Sequence, residues 1–268
     1  MGENVVDLQL DRAHSARMYD YYLGGRTNFT ADREAVGKVM AVFPAAMVAA
    51  RSNREFMHRS VRFAARNGIR QFLDVGTGIP TRPNLHEVAQ AEAPESRIVY
   101  VDNDPIVLAH AQALLQSHEA GRTAYVEADL NDPAGILAAP VLLDTLDLSR
   151  PIALSLNAVL HFIADDEAAC AITKAFKDAL APGSSLAISH GTGDFRPEVA
   201  KKIADTYRAA GTAAQPRDRA AVTRFFDGWD LVEPGVTVSH RWRPDEPTGL
   251  SDVTDAEAAC YVGVALKP

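Results

Sequence analysis

Apolar and polar positions along the chain follow two different periods. Short runs that are apolar at nearly every position predict buried strands, and the longer segments between them repeat apolar residues every three or four positions, as amphipathic helices do. Strands are predicted at 71–75, 97–102, 123–129, 152–157, 185–190, 229–233 and 259–266. Strands that alternate with helices predict a parallel sheet with right-handed crossovers. The last two strands, with no obvious helix between them, predict an antiparallel edge.

Helices are predicted before and between these strands. Three lie in the first 66 residues, one within 13–29, one after Thr30 with apolar positions as far as Met40, and one at about 44–66; others begin near 84, 105, 134, 165, 197 and 217. Asn84 with Glu87, and Asp104 before Pro105, are pairs that commonly start helices. The helix after Pro105 is expected to reach about Glu119. We therefore expect residues 1–66 to form a helical extension and lid within the same domain, and residues 67–268 to form the α/β core.

The third predicted helix carries a row of arginines. Arg51, Arg59, Arg62 and Arg66 fall at spacings compatible with one helix face. A solvated face explains them, and a docking patch for an acidic partner is the alternative. In the helix before it, Thr30 is the predicted N-cap.

The first strand runs directly into a glycine turn. The sequence is Phe72-Leu-Asp-Val-Gly-Thr-Gly-Ile-Pro80, in which Gly76 and Gly78 permit positive φ or a close approach of the backbone to a ligand. Dinucleotide-binding loops have a further glycine where this chain has Thr81, so a nicotinamide cofactor is disfavoured. A tight turn with nothing bound is the alternative interpretation.

Three consecutive predicted strands end in aspartate, at Asp74, Asp102 and Asp129. The carboxyl ends of parallel strands meet at one edge of the sheet, where open α/β sheets bind ligands. At an effective dielectric constant near 20, two carboxylates about 6 Å apart repel by ~3 kcal/mol. A polyphosphate would add to that repulsion, whereas the ammonium and sulfonium groups of S-adenosylmethionine would offset it. We expect Asp102 on the ribose hydroxyls, Asp129 on the adenine amino group and Asp74 on the ammonium, with Asp104 as a helix cap.

Composition excludes several classes of protein. The 268 residues are 47% hydrophobic with a net charge of −8, so a general surface for a nucleic-acid backbone is not expected. Cys170 and Cys260 are far apart, which argues against a disulfide framework and a metal site and fits a reducing, cytoplasmic location. The start of the chain lacks the features of a signal peptide, and the longest apolar run, 41–50, is too short to span a bilayer. We expect a soluble protein with no membrane partner.

Residues 13–29 contain three of the seven tyrosines, Tyr19, Tyr21 and Tyr22. Aromatic side chains beside a flexible hinge suit a lid over a small ligand, and Asn28 belongs to the same segment. The alternative is a helix whose aromatic face packs on the core and which ends at a left-handed Gly24. The two interpretations are compatible.

Four motifs together carry a resemblance. Asp74-Val-Gly-Thr-Gly, Val-Asp102-Asn103, Glu127-Ala-Asp129 and Ala158-Val-Leu-His161 resemble, in order and spacing, the successive motifs of class I S-adenosylmethionine-dependent methyltransferases. The prefix from Ser15 to Phe29 further resembles one actinobacterial family of such enzymes, whose methyl acceptor the resemblance does not name. Pro80 departs from the wider class, in which a third glycine is common.

This resemblance implies a Rossmann-like sheet of seven strands in the order 3-2-1-4-5-7-6, with the last strand antiparallel. It also implies S-adenosylmethionine as the cofactor and methyl transfer as the activity. The cofactor-binding residues it implies are Asp74, Gly76, Thr77, Gly78, Asp102, Asn103, Asp129, Leu130, Asn157, Ala158 and His161. No metal is implied.

Catalytic residues are harder to predict, because methyl transfer from a sulfonium depends mainly on alignment and needs a base only if the nucleophile starts protonated. His161 and His190 follow the fourth and fifth strands and could accept a proton near neutral pH. In the resembling class, a histidine placed as His161 is often a packing residue. Tyr22 is a third candidate, since Tyr21 and Tyr22 could close over the methyl group, and Trp242 with Tyr261 could wall an acceptor pocket.

Two other functions remain open at this point. A non-catalytic sensor would bind the cofactor without turnover. An NAD-dependent oxidoreductase would need a proton relay that the sequence does not show, since Tyr207 is followed four residues later by Gly211. The acidic chain and the predicted lid favour a small-molecule acceptor in an enclosed site over a macromolecule.

Overall fold

The computed structural model describes residues 10–114, 116–245 and 252–268. Within these ranges the strands are β1 (Gln71–Val75), β2 (Arg97–Asp102), β3 (Arg122–Glu127), β4 (Ala153–Asn157), β5 (Ser185–Gly191), β6 (Asp230–Leu231), β7 (Thr237–Val238) and β8 (Cys260–Leu266). They form one sheet in the order β3-β2-β1-β4-β5-β8-β6, and β7 also pairs with β8.

The sheet confirms the predicted class I topology. Strands β1 to β5 run parallel to one another, and β8 runs antiparallel to both β5 and β6. The additional short strand β7 was not predicted, and its pairing with β8 is antiparallel. Strand β1 is buried at every position, as expected of a central parallel strand covered on both faces.

The helices of the described residues alternate with these strands. They are α1 (Ser15–Tyr22), α2 (Thr30–Val42), α3 (Ala46–Arg66), α4 (Leu85–Glu92), α5 (Pro105–Leu114), α6 (Pro133–Ala138), α7 (Pro140–Thr145), α8 (Asp166–Ala179), α9 (Pro197–Ala209), α10 (Arg219–Arg224) and α11 (Asp255–Ala258), with 3₁₀ turns at Leu160–Phe162 and Ser239–Arg241. The predicted capping box of Asn84 and Glu87 is present at α4. Helix α5 ends four residues or more before the predicted Glu119, since residues 116–119 are not helical.

The N-terminal extension shares the core of the sheet domain. Phe56 on α3 is fully buried against Trp242, Val262 and Val264, and Met57 and Val61 pack with residues of β1 and β2. Helices α1 and α2 pack with α3 and α9 in a further apolar cluster. Residue 66 therefore marks only the point at which consecutive helices give way to alternating strands and helices. That the extension acts as a lid stays a hypothesis.

Two predictions about the extension need correction. The N-cap position of α2 is Phe29 rather than Thr30, and the Asp32 carboxylate caps the helix by accepting from the backbone N–H of Phe29. The arginine row is also not one solvated face. Arg59 is buried and donates to the carbonyls of Ser239 and Trp242, because α3 lies against the chain that precedes β8.

The other arginines of the row stay nearer the surface. Arg62 pairs with Asp245, and Arg66 donates to both oxygens of Glu92. Arg51 and Arg66 are exposed and fit the solvated face, whereas Arg59 does not.

Among the described residues, no helix is by itself long and apolar enough to cross a bilayer. Helices α2 and α3 meet the requirement of length and apolar composition only together, as a pair bent by 101°.

Candidate functional site

A cavity of about 720 Å³ opens at the carboxyl ends of β1, β2 and β4. Its wall on one side consists of the strand ends and the loops that follow them, and its wall on the other consists of α1, α3 and α9. The volume lies within the roughly 300–1,000 Å³ that small-molecule sites span. The site edge predicted from the strand-end aspartates is therefore the edge at which the structure has its cavity.

The glycine turn after β1 forms the floor of this cavity. Gly76 and Gly78 adopt φ values of 77° and 67°, in the left-handed region that favours glycine. A Cβ at Gly76 would lie 2.5 Å from a methyl carbon of Val159, so the loop after β4 packs directly on the turn. The side chain is excluded there because two loops meet, and the backbone of the turn is left open toward the cavity.

The three aspartates predicted at strand ends all line the cavity, although β3 ends at Glu127 and Asp129 lies two residues beyond it. The Asp102 carboxylate accepts from the backbone N–H groups of Gly78, at 2.8 Å, and Asp104, at 3.0 Å, so it ties the glycine turn to the end of β2. Asp129 is exposed, and one of its oxygens is held by Asn131. Each carboxylate keeps lone pairs for a ligand, since a carboxylate has about four acceptor sites.

Asp74 carries a strongly perturbed carboxyl group. Burial raises its pKa to about 7, although the positive charge of Arg54 acts in the opposite direction. Arg54 comes from α3, lines the same cavity, and donates to the backbone carbonyls of Thr81 and Pro83. A buried acid and a guanidinium therefore face the same end of the cavity.

A second group of charges joins α1 to the loop after β2. Asp104 caps α5 by accepting from the N–H of Ile106, as predicted, and its other oxygen lies 3.0 Å from His14 Nδ1 and 3.7 Å from Arg17 Nε. Burial works to raise the pKa of Asp104, but the His14 hydrogen bond and the Arg17 charge outweigh it and hold the pKa below its usual value. The start of α1 is thus anchored beside Asp102.

The loop after β4 contributes a polar group without a protein partner. Both the Nδ2 and Oδ1 atoms of Asn157 are buried and make no hydrogen bond within the described part of the chain, and Asn157 lines the cavity. Ala158 follows in the left-handed region with φ of 54° and donates to Ser189. A buried amide left unsatisfied costs about 1–3 kcal/mol, so this loop is built to meet a polar ligand.

His161 lines the cavity as predicted, and the Nδ1 atom of its ring is an acceptor within the protein. Its Nδ1 accepts from the Gly191 N–H at 3.4 Å, which assigns the proton of the neutral ring to Nε2. Burial lowers its pKa to about 4, so the ring is neutral at pH 7. The role of His161 as a base stays a prediction.

His190 does not reach the cavity. The ring is fully buried, its Nδ1 contacts the Gly191 carbonyl at 2.8 Å, and its Nε2 accepts from Arg217 at 3.0 Å. Both nitrogens are therefore committed to the protein, and burial holds the pKa of His190 well below its usual value. Its prediction as a base was wrong for this reason.

The tyrosine segment forms a helix whose aromatic face packs inward, and Gly24 follows with φ of 81°. Tyr19 and Tyr22 line the cavity. The Tyr19 hydroxyl donates to the Ala50 carbonyl and accepts from Asn53. The packing interpretation holds for these two side chains, whose face is also a wall of the cavity, and the lid role stays a prediction.

Four other predicted lid or acceptor residues do not line the cavity. Tyr21 lies on another side of α1, and Asn28 is buried with its amide on Asp20 and Gly25. Trp242 is fully buried edge-on against Phe56 and Phe63, and the Tyr261 hydroxyl donates to Asp194. Residue type suggested a binding role for these aromatic side chains, whereas the fold uses them for packing.

Several cavity residues have no local signal in the sequence. Arg54 belongs to a helix rich in arginine, and nothing in its spacing separates it from its neighbours. Tyr207 and the segment 210–216 enter the cavity because α9 packs on α2, a contact between elements that are more than 150 residues apart. Such residues can be found only from tertiary structure.

Comparisons with known proteins agree with this architecture. A family model described as S-adenosyl methyltransferase matches residues 1–268. The crystal structure of a DUF574 family protein from Streptomyces avermitilis is 49% identical, with a TM-score of 0.95, over 98% of this chain and 100% of that one. A candidate methyltransferase from Thermobifida fusca is 37% identical, with a TM-score of 0.89, over 100% and 99%.

More distant similarity shows only the fold. An O-methyltransferase family protein from Burkholderia thailandensis is 14% identical, with a TM-score of 0.50, over 83% of this chain and 60% of that one. Among curated proteins, none matches the chain. Because the family model covers the whole sequence and two solved relatives above 30% identity align over nearly their full lengths, the chain belongs to the S-adenosyl methyltransferase family and is an S-adenosylmethionine-dependent methyltransferase.

Proposed function

We propose that the enzyme transfers the methyl group to a small molecule bound in the cavity, and that the strand-end acids and the glycine turn hold the cofactor. The observation that carries this proposal is that Asp74, Asp102 and Asp129 line one cavity together with the turn of Gly76 to Gly78. Three acids at one rim suit a cationic cofactor and would repel a polyphosphate.

The residues present fit the two ends of S-adenosylmethionine. Its amino-acid end carries an ammonium and a carboxylate, and the corresponding end of the cavity has both Asp74 and Arg54. Its ribose and adenine ask for hydrogen-bond acceptors, which Asp102 and Asp129 supply. The amide of Asn157, with no protein partner in the described residues, is a further polar contact for the bound molecule.

The chain's own contribution to the reaction is alignment. When bound, the cofactor supplies a methyl group on a sulfonium sulfur: the acceptor's nucleophilic atom forms a bond to the methyl carbon, the carbon–sulfur bond breaks, and the sulfur is left as a neutral thioether. The glycine turn allows close approach, α1 and α9 exclude water, and His161 donates a hydrogen bond. A hydroxyl or amine acceptor also releases a proton, which passes to solvent when the product leaves the cavity.

The family assignment favours methyl transfer over the NAD-dependent alternative, and turnover separates it from a cofactor sensor. The test is release of S-adenosylhomocysteine by the wild-type protein with a panel of small-molecule acceptors, compared with Asp102→Ala. As a matched control, Asp178→Ala removes an exposed acid outside the cavity, whose ion pair is with Lys174. Turnover that Asp102→Ala lowers and Asp178→Ala leaves unchanged is expected. Turnover with protein or RNA acceptors alone would refute the small-molecule proposal.

A further inference from the structure

The cavity has two parts of different chemistry. Its charged lining residues are confined to the start of α1, the strand ends and Arg54. The other part, here named the acceptor chamber, has among the described residues only uncharged side chains from α1, α2, α3, α9 and the segment 210–216. Its main walls are Tyr22, Val39, Phe43, Ala46, Ile203 and Tyr207.

A row of rings connects the acceptor chamber to the cofactor side. The ring centroids of Tyr207 and Phe162 are 5.7 Å apart, and those of Phe162 and His161 are 4.3 Å apart. His161 in turn follows the loop after β4 that carries Asn157. A molecule lying in the acceptor chamber would therefore reach the place at which the methyl group is presented.

Phenol groups from α1 and α9 supply polar atoms to the walls of the acceptor chamber. Tyr19, Tyr22 and Tyr207 line the cavity, and the Tyr19 hydroxyl is bonded to Ala50 and Asn53. The Tyr22 hydroxyl is buried and makes no hydrogen bond within the described residues. Burial raises the pKa of Tyr207 to about 12 and also raises the pKa of Tyr22, so both groups stay neutral. Neutral phenols can donate to or accept from a carbonyl or hydroxyl, but they cannot neutralise a charge.

From this arrangement we infer that the methyl acceptor is a neutral, largely apolar molecule with a ring and a single neutral polar group that binds Tyr22 and Tyr207. This inference rests on the proposed function, in that it assigns the second part of the same cavity. A charged group in the acceptor chamber would lose its hydration without gaining a partner. Aromatic walls at Tyr22, Phe43 and Tyr207 suit stacked or edge-on contact with a planar ring.

The test uses defined probes on protein saturated with S-adenosylhomocysteine. Affinities of 2-naphthol, naphthalene and 2-naphthoate are measured by equilibrium dialysis. We expect 2-naphthol to bind at least tenfold more tightly than 2-naphthoate. Tyr207→Phe should weaken 2-naphthol roughly three- to tenfold, the value of one hydrogen bond, and leave naphthalene unchanged. Tyr261→Phe, which removes a phenol hydroxyl outside the cavity, should change neither.

A charge placed in the acceptor chamber supplies a gain-of-function arm. Ile203→Lys should reverse the preference, so that 2-naphthoate binds more tightly than 2-naphthol. Equal binding of the two compounds by the wild-type protein, or binding of neither, would overturn the inference. A loss of naphthalene binding in Tyr207→Phe as large as the loss of 2-naphthol binding would overturn the role of the hydroxyl. Failure of S-adenosylhomocysteine itself to bind would instead count against the proposed function.

Discussion

The titration of Asp74 gives the most specific prediction about cofactor binding. With a pKa of about 7, the carboxyl group is roughly nine-tenths protonated at pH 6.0 and about three-quarters ionised at pH 7.5. Only the ionised form attracts an ammonium. If Asp74 holds the ammonium, the affinity for S-adenosylhomocysteine should therefore rise roughly eightfold over this range, which is about 1.2 kcal/mol.

The same group makes stability depend on pH in the absence of ligand. Its pKa in the folded protein lies above the ordinary value of 3.8, so the folded state binds more protons than the unfolded state between about pH 4 and pH 7. The free energy of unfolding should therefore fall as pH rises through this range, by up to about 4 kcal/mol for a pKa raised from 3.8 to about 7. Asp74→Asn removes this contribution and should flatten the profile.

The assays are isothermal titration with S-adenosylhomocysteine at the two pH values and urea unfolding of the ligand-free protein. Asp74→Asn should bind no better than the wild-type protein at pH 6.0 and should lose the pH dependence. The matched control Asp129→Asn removes an acid at the proposed adenine end and should weaken binding while preserving the rise with pH. A wild-type affinity that is the same at pH 6.0 and 7.5 would refute the reasoning.

Three further predictions concern the fold around the site, each measured by urea unfolding. Gly76→Ala should lower the free energy of unfolding by about 1–3 kcal/mol more than Gly211→Ala does. Both glycines have positive φ, but only at Gly76 would the added Cβ meet another side chain. Equal losses would contradict the packing account. Arg217→Met should lower the free energy of unfolding by about 3 kcal/mol or more, since Arg217 is buried and donates to the carbonyls of Leu160 and Ile163. The nearby Arg219→Met should change it little. A small loss for Arg217→Met would be evidence against this role. Trp242→Ala should cost about 3–5 kcal/mol and leave the affinity for S-adenosylhomocysteine unchanged, whereas weakened binding with intact stability would restore Trp242 to the site.

Much of the sheet was predictable because its determinants are local. A buried strand such as β1 is apolar at successive positions, and the glycines after it are required by positive φ. The order of the strands in the sheet is not determined by local sequence, and it was predicted from the resemblance of the motifs to a known class. Helix α5 shows the limit of such reasoning, since its predicted end near Glu119 is wrong and residues 116–119 are not helical.

The two halves of the site differ in the same way. The proposed cofactor half consists of strand ends and the turns after them, so Asp74, Asp102 and Asp129 could be recognised in sequence. The acceptor chamber consists of helix faces from distant segments, and a tyrosine such as Tyr207 has no signature that separates a cavity wall from a core position. His190 failed as a prediction because its partner, Arg217, approaches from 27 residues further along the chain.

The central claim is that acids gathered at one edge of the sheet receive a cationic cofactor. Its most direct test is calorimetric titration of the wild-type protein and Asp102→Ala with S-adenosylmethionine, NAD and ATP. We predict that the wild-type protein binds S-adenosylmethionine alone among the three, and that Asp102→Ala binds it roughly ten- to a hundredfold more weakly, as expected for lost hydrogen bonds to a charged acceptor. Tighter binding of NAD or ATP, or equal affinity of the two proteins for S-adenosylmethionine, would contradict the account.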